Sequence, residues 1–235
     1  MQVVEAGPST KTPGLLFRRT PCGPEQALVN WFLQQDLVRV PRGHRATVFR
    51  EPRLPSGFPD LVIVIWREAV ALHWKPSRAS LTATDLRLVH FLTRSGPQTE
   101  DVLKAMFSAW REALDRLAEA AMIRKIRRSW RVQSLDTVFA ATEIIAVEAK
   151  MREWRSALEQ AHLNTWFASQ SAILVPRIPR GSTLLHDADD LGVTVVAQEN
   201  PTCALAATDE LNPRSYVSWL FNEWAWQMAL TAEVR

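Results

Sequence analysis

The stretch Ile144-Ile145-Ala146-Val147-Glu148-Ala149-Lys150 joins an apolar run to two ionisable groups of opposite sign. On a β-strand side chains alternate, so Ile145, Val147 and Ala149 face the core. Glu148 and Lys150 then share the other face, roughly 6–7 Å apart along the strand. Upstream, Gly57-Phe58-Pro59-Asp60 sets an acid at the mouth of a second apolar stretch, 61–66. If the two stretches are neighbouring strands, Asp60, Glu148 and Lys150 converge. Two carboxylates beside an ammonium suit hydrolysis of a phosphodiester. A hard divalent ion takes oxygen ligands from one or two carboxylates and keeps several waters. It stabilises charge on the phosphate and lowers the pKa of a bound water, while a nearby lysine orients the nucleophile and offsets developing charge. On this reading Asp60, Glu148 and the main-chain carbonyl of Ala149 are the inner ligands of Mg2+ or Mn2+, and Lys150 is their electrostatic partner. Only five of the 28 basic residues are lysines, so one that closes an apolar strand asks for a chemical reason.

The surrounding periodicities say which elements must position these groups. Residues 1–21, rich in Pro, Gly, Ser and Thr, read as a loosely held arm. A helix fits 24–36 with Pro24 in its first turn, then strands fit 46–50 and 61–66, and 70–74 offers an antiparallel return. From residue 81 the period changes to that of helices, over 82–95, 99–106 and 108–122. Strands then fit 142–150, 172–176, 192–198 and 203–207, and helices fit 151–168, 182–190 and 214–230. The expectation is an α/β fold with a mixed central sheet flanked by helices. Its sheet domain is discontinuous, 22–78 and 134–235, and a mainly helical insert occupies 79–133.

Phe58-Pro59-Asp60 before strand 61–65, and Val147-Glu148-Ala149-Lys150, resemble the two signature blocks of PD-(D/E)xK nucleases. The following helix, with Trp154, Leu158 and Ala161 as its buried stripe, resembles that family's post-motif helix, which often carries a glutamine toward the site; Gln160 is the candidate. Members also use a glutamate of the first helix as an outer ligand, and Glu25 lies in the matching place. The resemblance covers about 22–75 and 135–200 and implies a restriction-endonuclease-like fold, a metal-dependent deoxyribonuclease, and a setting in restriction, repair or anti-phage defence. The separation of Asp60 from Glu148 is longer than usual, which the insert explains if both its ends lie at one edge of the sheet. Plainer readings exist for each residue alone. A Glu-x-Lys pair can be a surface ion pair, Asp60 can close a turn, Glu25 can answer a helix dipole, and Gln160 can be a helix-surface residue.

In the insert, three helices precede a basic strand-like segment, an order that resembles a winged helix-turn-helix. Trp110, Leu114, Leu117 and Ala121 mark the core stripe of the third helix. Arg124, Lys125, Arg127, Arg128 and Arg131 form a basic wing suited to phosphates. Arg111 and Arg116 lie on helix positions that can meet a major groove, although Glu112 and Asp115 work against a phosphate clamp. A protein-interaction module or a solvated charge run fits the same residues.

A net charge of +3 is too mild to identify a nucleic-acid binder. No apolar run approaches the roughly 20 residues of a membrane span, and the N-terminus is not a secretory signal. Two distant cysteines, Cys22 and Cys203, fit a reducing cytoplasm. A phosphate-binding Gly-x-x-x-x-Gly-Lys-Ser/Thr loop, zinc spacings and a Gly-x-Ser-x-Gly elbow are all absent, so no nucleotide cofactor is expected. The expected partner is double-stranded DNA. A homodimer suits double-strand cleavage, because one such site cuts one strand. Trp219, Trp224 and Trp226 fit either the core or such an interface. The rival expectation is a DNA-binding regulator or assembly subunit that does not cut; RNA as substrate is a third.

Overall fold

The computed structural model describes residues 2–4, 14–19, 22–201, 205 and 212–233. Strand β1 (Gln2–Val4) precedes helix α1 (Pro24–Gln34), where Pro24 occupies a first-turn position whose N–H has no helical partner anyway. Strands β2 (His44–Arg50) and β3 (Leu61–Arg67) pair antiparallel without slippage, from His44 opposite Arg67 to Arg50 opposite Leu61. A short helix α2 (Glu68–Ala71) and a 3-10 turn (Pro76–Ser80) lead into α3 (Ala83–Ser95), which a Thr82–Asp85 capping box starts. Then come β4 (Gln98–Thr99), α4 (Glu100–Met106), α5 (Trp110–Glu119), β5 (Ile123–Ile126), β6 (Ser129–Val132) and α6 (Leu135–Val138). The chain returns as β7 (Ala141–Ala149), α7 (Trp154–Asn164), β8 (Gln170–Val175), α8 (Leu184–Asp190), β9 (Val193–Ala197) and α9 (Tyr216–Glu233).

Six strands form one mixed sheet in the order β1-β2-β3-β7-β8-β9. β2, β3 and β7 run antiparallel in turn, whereas β7, β8 and β9 are parallel and joined through α7 and α8. Parallel neighbours need such crossovers. Every residue of β7 is buried, as are the first six of β3, because both faces of these strands are covered. On one face Leu61, Ile63, Ile65, Val147 and Ala149 meet Leu28, Val29 and Phe32 of α1. On the other, Val62, Val64, Ile144 and Ala146 belong to a core with Trp219, Phe221 and Trp224 of α9.

Residues 83–132 leave and rejoin the sheet between adjacent strands, since β3 pairs directly with β7 and the Arg67 N–H donates to the Ala140 carbonyl at 2.9 Å. The inserted helices carry their own three-stranded sheet, order β4-β6-β5. Their core is nevertheless continuous with that of α9, through Leu86, Leu88, Val89, Leu114 and Leu117. Arg78, 1 % exposed, ties the crossing together. Its guanidinium donates to Glu223 of α9 (Nε–Oε2 3.0 Å) and to the Val138 carbonyl (2.8 Å), and lies over the Trp74 ring.

Three expectations are corrected. The return strand at 70–74 is absent: Glu68–Ala71 is helical, and both edges of β3 are already taken by β2 and β7. Part of the arm is ordered sheet, Gln2–Val4 running parallel to β2, and Phe17 bridges Pro52. Helix α7 begins at Trp154 instead of 151, because residues 151–153 turn the chain off the end of β7. Of the two places that fitted Trp219, Trp224 and Trp226, they occupy the core, at 0 %, 2 % and 5 % exposure. The remaining positions of the arm (1, 5–13, 20–21), and all of the expected strand 203–207 except Leu205, lie outside the described residues. Among the described residues no helix is long and apolar enough to cross a membrane.

Candidate active site

Asp60 stands one residue before β3 and Glu148 one residue after Val147, the strand partner of Leu61. The antiparallel register therefore sets Asp60 opposite Glu148, where paired Cα atoms are about 4.5–5.5 Å apart. Asp60 Oδ2 accepts the Ala149 N–H at 2.6 Å. Burial raises the Asp60 carboxyl above the usual range and Glu25 adds to this, while the Ala149 N–H and Lys150 oppose it. Glu148 is 6 % exposed. Burial, and then the charge of Asp60, push it up to about 8 against the pull of Asn164 and Lys150. The Asn164 amide Nδ2 donates to Glu148 Oε1 at 2.7 Å.

Lys150 Nζ lies 3.5 Å from Glu25 Oε2, so the first turn of α1 reaches the end of β7. A cavity of about 390 Å3 opens over these groups, lined by Arg18, Glu25, Arg50, Glu51, Asp60 and Lys150 among others. The fold thus brings Asp60, Glu148, Lys150 and Glu25 into one neighbourhood. Gln160 is not brought there. It is exposed on α7, and the amide that reaches Glu148 is Asn164, one helical turn later.

Glu51 is a further acid that periodicity did not single out. It follows β2 in a left-handed conformation (φ 51) and is 3 % exposed. A non-glycine residue held there costs about 1–3 kcal/mol and persists only where its surroundings impose it. Here the Glu51 N–H donates to the Asp60 carbonyl at 3.2 Å, and Arg18 Nε donates to Glu51 Oε2 at 3.0 Å. Burial and the neighbouring Asp60 raise its carboxyl despite Arg18. The sequence signal was slight: an acid between the end of β2 and Pro52. Among the described residues, no three His, Cys, Asp or Glu side chains are arranged to hold a metal by themselves.

The basic residues of the insert divide in two. Arg116 is committed inward, its Nε and Nη2 donating to the buried Asp85 at 2.9 and 2.8 Å. It braces α5 on α3 and is withdrawn from the expected DNA contacts. Lys125 pairs with Glu100 at 2.6 Å, and the Arg111 guanidinium sits 4.9 Å from the Trp110 ring centroid. Arg124, Arg127, Arg128 and Arg131 are exposed on the β5–β6 hairpin with no acidic partner among the described residues. No protein-family model, curated protein or solved structure matches the chain.

Proposed function

We propose that this chain is a Mg2+- or Mn2+-dependent deoxyribonuclease of the PD-(D/E)xK type, on a restriction-endonuclease-like fold with a winged helix-turn-helix inserted at 79–133. The observation that carries the reading is the juxtaposition of Asp60, at the mouth of β3, with Glu148 on the adjacent central strand β7, and Lys150 two residues beyond. The inserted helices, followed by a hairpin whose arginines have no acidic partner among the described residues, support the second part.

The donor set fits a hard divalent ion. Burial raises both carboxyls, and the charge of Asp60 raises Glu148 further, an effect that a cation beside them would reverse. A magnesium site needs only one or two carboxylates together with waters. Asp60 and Glu148 would hold the ion. The Ala149 carbonyl would join them, because the N–H and C=O of one strand residue point the same way and this N–H points at Asp60. When bound, such an ion polarises a phosphate and acidifies water. Lys150 offers an ammonium that Glu25 orients, positioned to neutralise charge developing on the phosphate. Asn164 fixes the rotamer of Glu148, and Ala149 that of Asp60. The arginine-bearing hairpin would meet phosphates without reading bases.

Incubating supercoiled plasmid with Mg2+ or Mn2+ tests this. Wild type should nick or linearise it, and Lys150→Ala or Asp60→Asn should lower the rate at least about 100-fold, the scale of losing a group that stabilises the transition state. Wild type that binds DNA but cuts with neither ion, like both variants, would favour the non-cleaving regulator.

A further inference from the structure

A second groove, of about 850 Å3, adjoins the candidate active site and shares Lys150 and Met151 with its cavity. It lies beyond the carboxyl ends of β7, β8 and β9, where neighbouring parallel strands leave a crevice. Its charge is one-sided: among the described residues Lys150, Arg152, Arg177 and Arg180 line it against a single acid, Glu199. Arg152, Arg177 and Arg180 are exposed, with no acidic partner among the described residues. Glu199 is turned to the main chain, where its Oε1 accepts the Ile178 N–H at 3.1 Å.

That bond helps hold the arginine-bearing loop in place. The Gln198 and Glu199 N–H groups donate to the Val175 and Pro176 carbonyls at 2.9 and 3.0 Å, and Pro176 and Pro179 stiffen the segment between. A braced loop loses little conformational freedom on binding. Guanidinium forks match phosphate oxygens in pairs. Among the described residues the lining contains no Asn, Gln, Ser or Thr to read a base edge. Trp154 is no stacking platform, being 8 % exposed with Arg155 lying 4.3 Å over its ring.

We propose that this groove carries the sugar-phosphate backbone of the substrate strand flanking the scissile phosphate, gripped by Arg152, Arg177 and Arg180 without regard to sequence. The inference rests on the nuclease reading for the word scissile, but the binding it asserts is measured separately. Contacts of this kind release counterions, each steepening the salt dependence of log K by about 0.7–0.9.

The test is fluorescence anisotropy of the full chain with a labelled 20-base-pair duplex and with its single strand. Ca2+ replaces Mg2+, and electrophoresis checks that the probe stays intact. The variant Arg152→Ala/Arg177→Ala/Arg180→Ala should lose about tenfold or more in affinity near 0.1 M salt, and its salt slope should fall by roughly 2–3. The corresponding triple lysine variant should keep the slope. All three positions are exposed, so an unchanged melting curve is expected to accompany the loss. An alanine variant with unaltered affinity and slope overturns the groove, and plasmid cleavage by wild type then decides the nuclease reading on its own. A wild type that fails to cut but shows the arginine-dependent slope retains the groove and loses the nuclease.

Discussion

Around Asp60 and Glu148 the fold concentrates more negative charge than its cations balance. Glu51, Asp60 and Glu148 are all raised above the ordinary carboxylate range, chiefly by burial, with Arg18 and Lys150 only partly compensating. For Glu148 the consequence for stability has a definite sign. Its folded value of about 8 exceeds the ordinary 4.5, so between those values the folded chain holds a proton that the unfolded chain releases. Stability of the metal-free protein should therefore fall as pH rises from about 5 to about 8, by several kcal/mol in order of magnitude, and then level off. Glu148→Gln keeps the shape and a partner for Asn164 without the charge, so its melting temperature should change far less over that window. Excess Mg2+ should raise the melting temperature of wild type near pH 8 and leave that of the variant nearly unchanged. Parallel melting curves for the two proteins across pH would defeat the argument. Asp60, Glu148 and Lys150 were legible in the sequence because strand alternation and a Pro-Asp opening fix where they point. Glu51 was not, since its place depends on a left-handed backbone that no periodicity encodes. Gln160 and Asn164 lie one turn apart on one helix, and spacing alone did not say which amide reaches the strand.

Elements were more legible than contacts. Every long helix and every sheet strand with a clear period falls within a few residues of its expected place, because capping and turn residues such as Pro24, Thr82 and Gly96 mark the ends. The short pieces were decided by pairing instead: 70–74 could not become a strand beside a β3 already paired on both edges. No sequence pattern announced the Arg78–Glu223 pair, in which the side chains are 1 % and 2 % exposed. It joins the turn before α3, the end of α6 and the middle of α9. Arg78→Met should leave Glu223 charged and buried, costing about 3–5 kcal/mol. For a chain of this size that is a fall in melting temperature of roughly 6–20 °C. The double variant Arg78→Met/Glu223→Leu should recover much of the loss, because a buried pair replaced by apolar groups is often neutral. A double variant no more stable than the single one would place the cost in packing rather than in the stranded charge.

At the scale of the molecule, the long separation between the two signature-like blocks led to the expectation of an insert with both ends at one edge of the sheet; residues 83–132 instead leave and rejoin between the central strands β3 and β7. Its coupling to the rest was not foretold. Helix α9 is buried on nearly all sides from Val217 to Ala229, its polar Ser218, Asn222, Glu223 and Gln227 included, so it must be enclosed by its own chain or by another. In sequence, Trp219, Trp224 and Trp226 fitted either the core or a dimer interface, with nothing to say which segment would cover them. The structure supplies the insert: α3 packs on α9, and a single core runs from Val62 and Ala146 through Phe221 and Trp224 to Leu88 and Leu117. A segment that shares its core in this way cannot melt alone without exposing α9, whereas a tethered module can. Calorimetry of the full chain should therefore show one cooperative transition, with calorimetric and van't Hoff enthalpies in agreement. Arg116→Ala, which strips the buried Asp85 of its partner inside the insert, should lower that one midpoint as a whole. Two resolved transitions, with only one displaced by the substitution, would mean that the insert is an autonomous unit and that α9 is stable beneath it without cover.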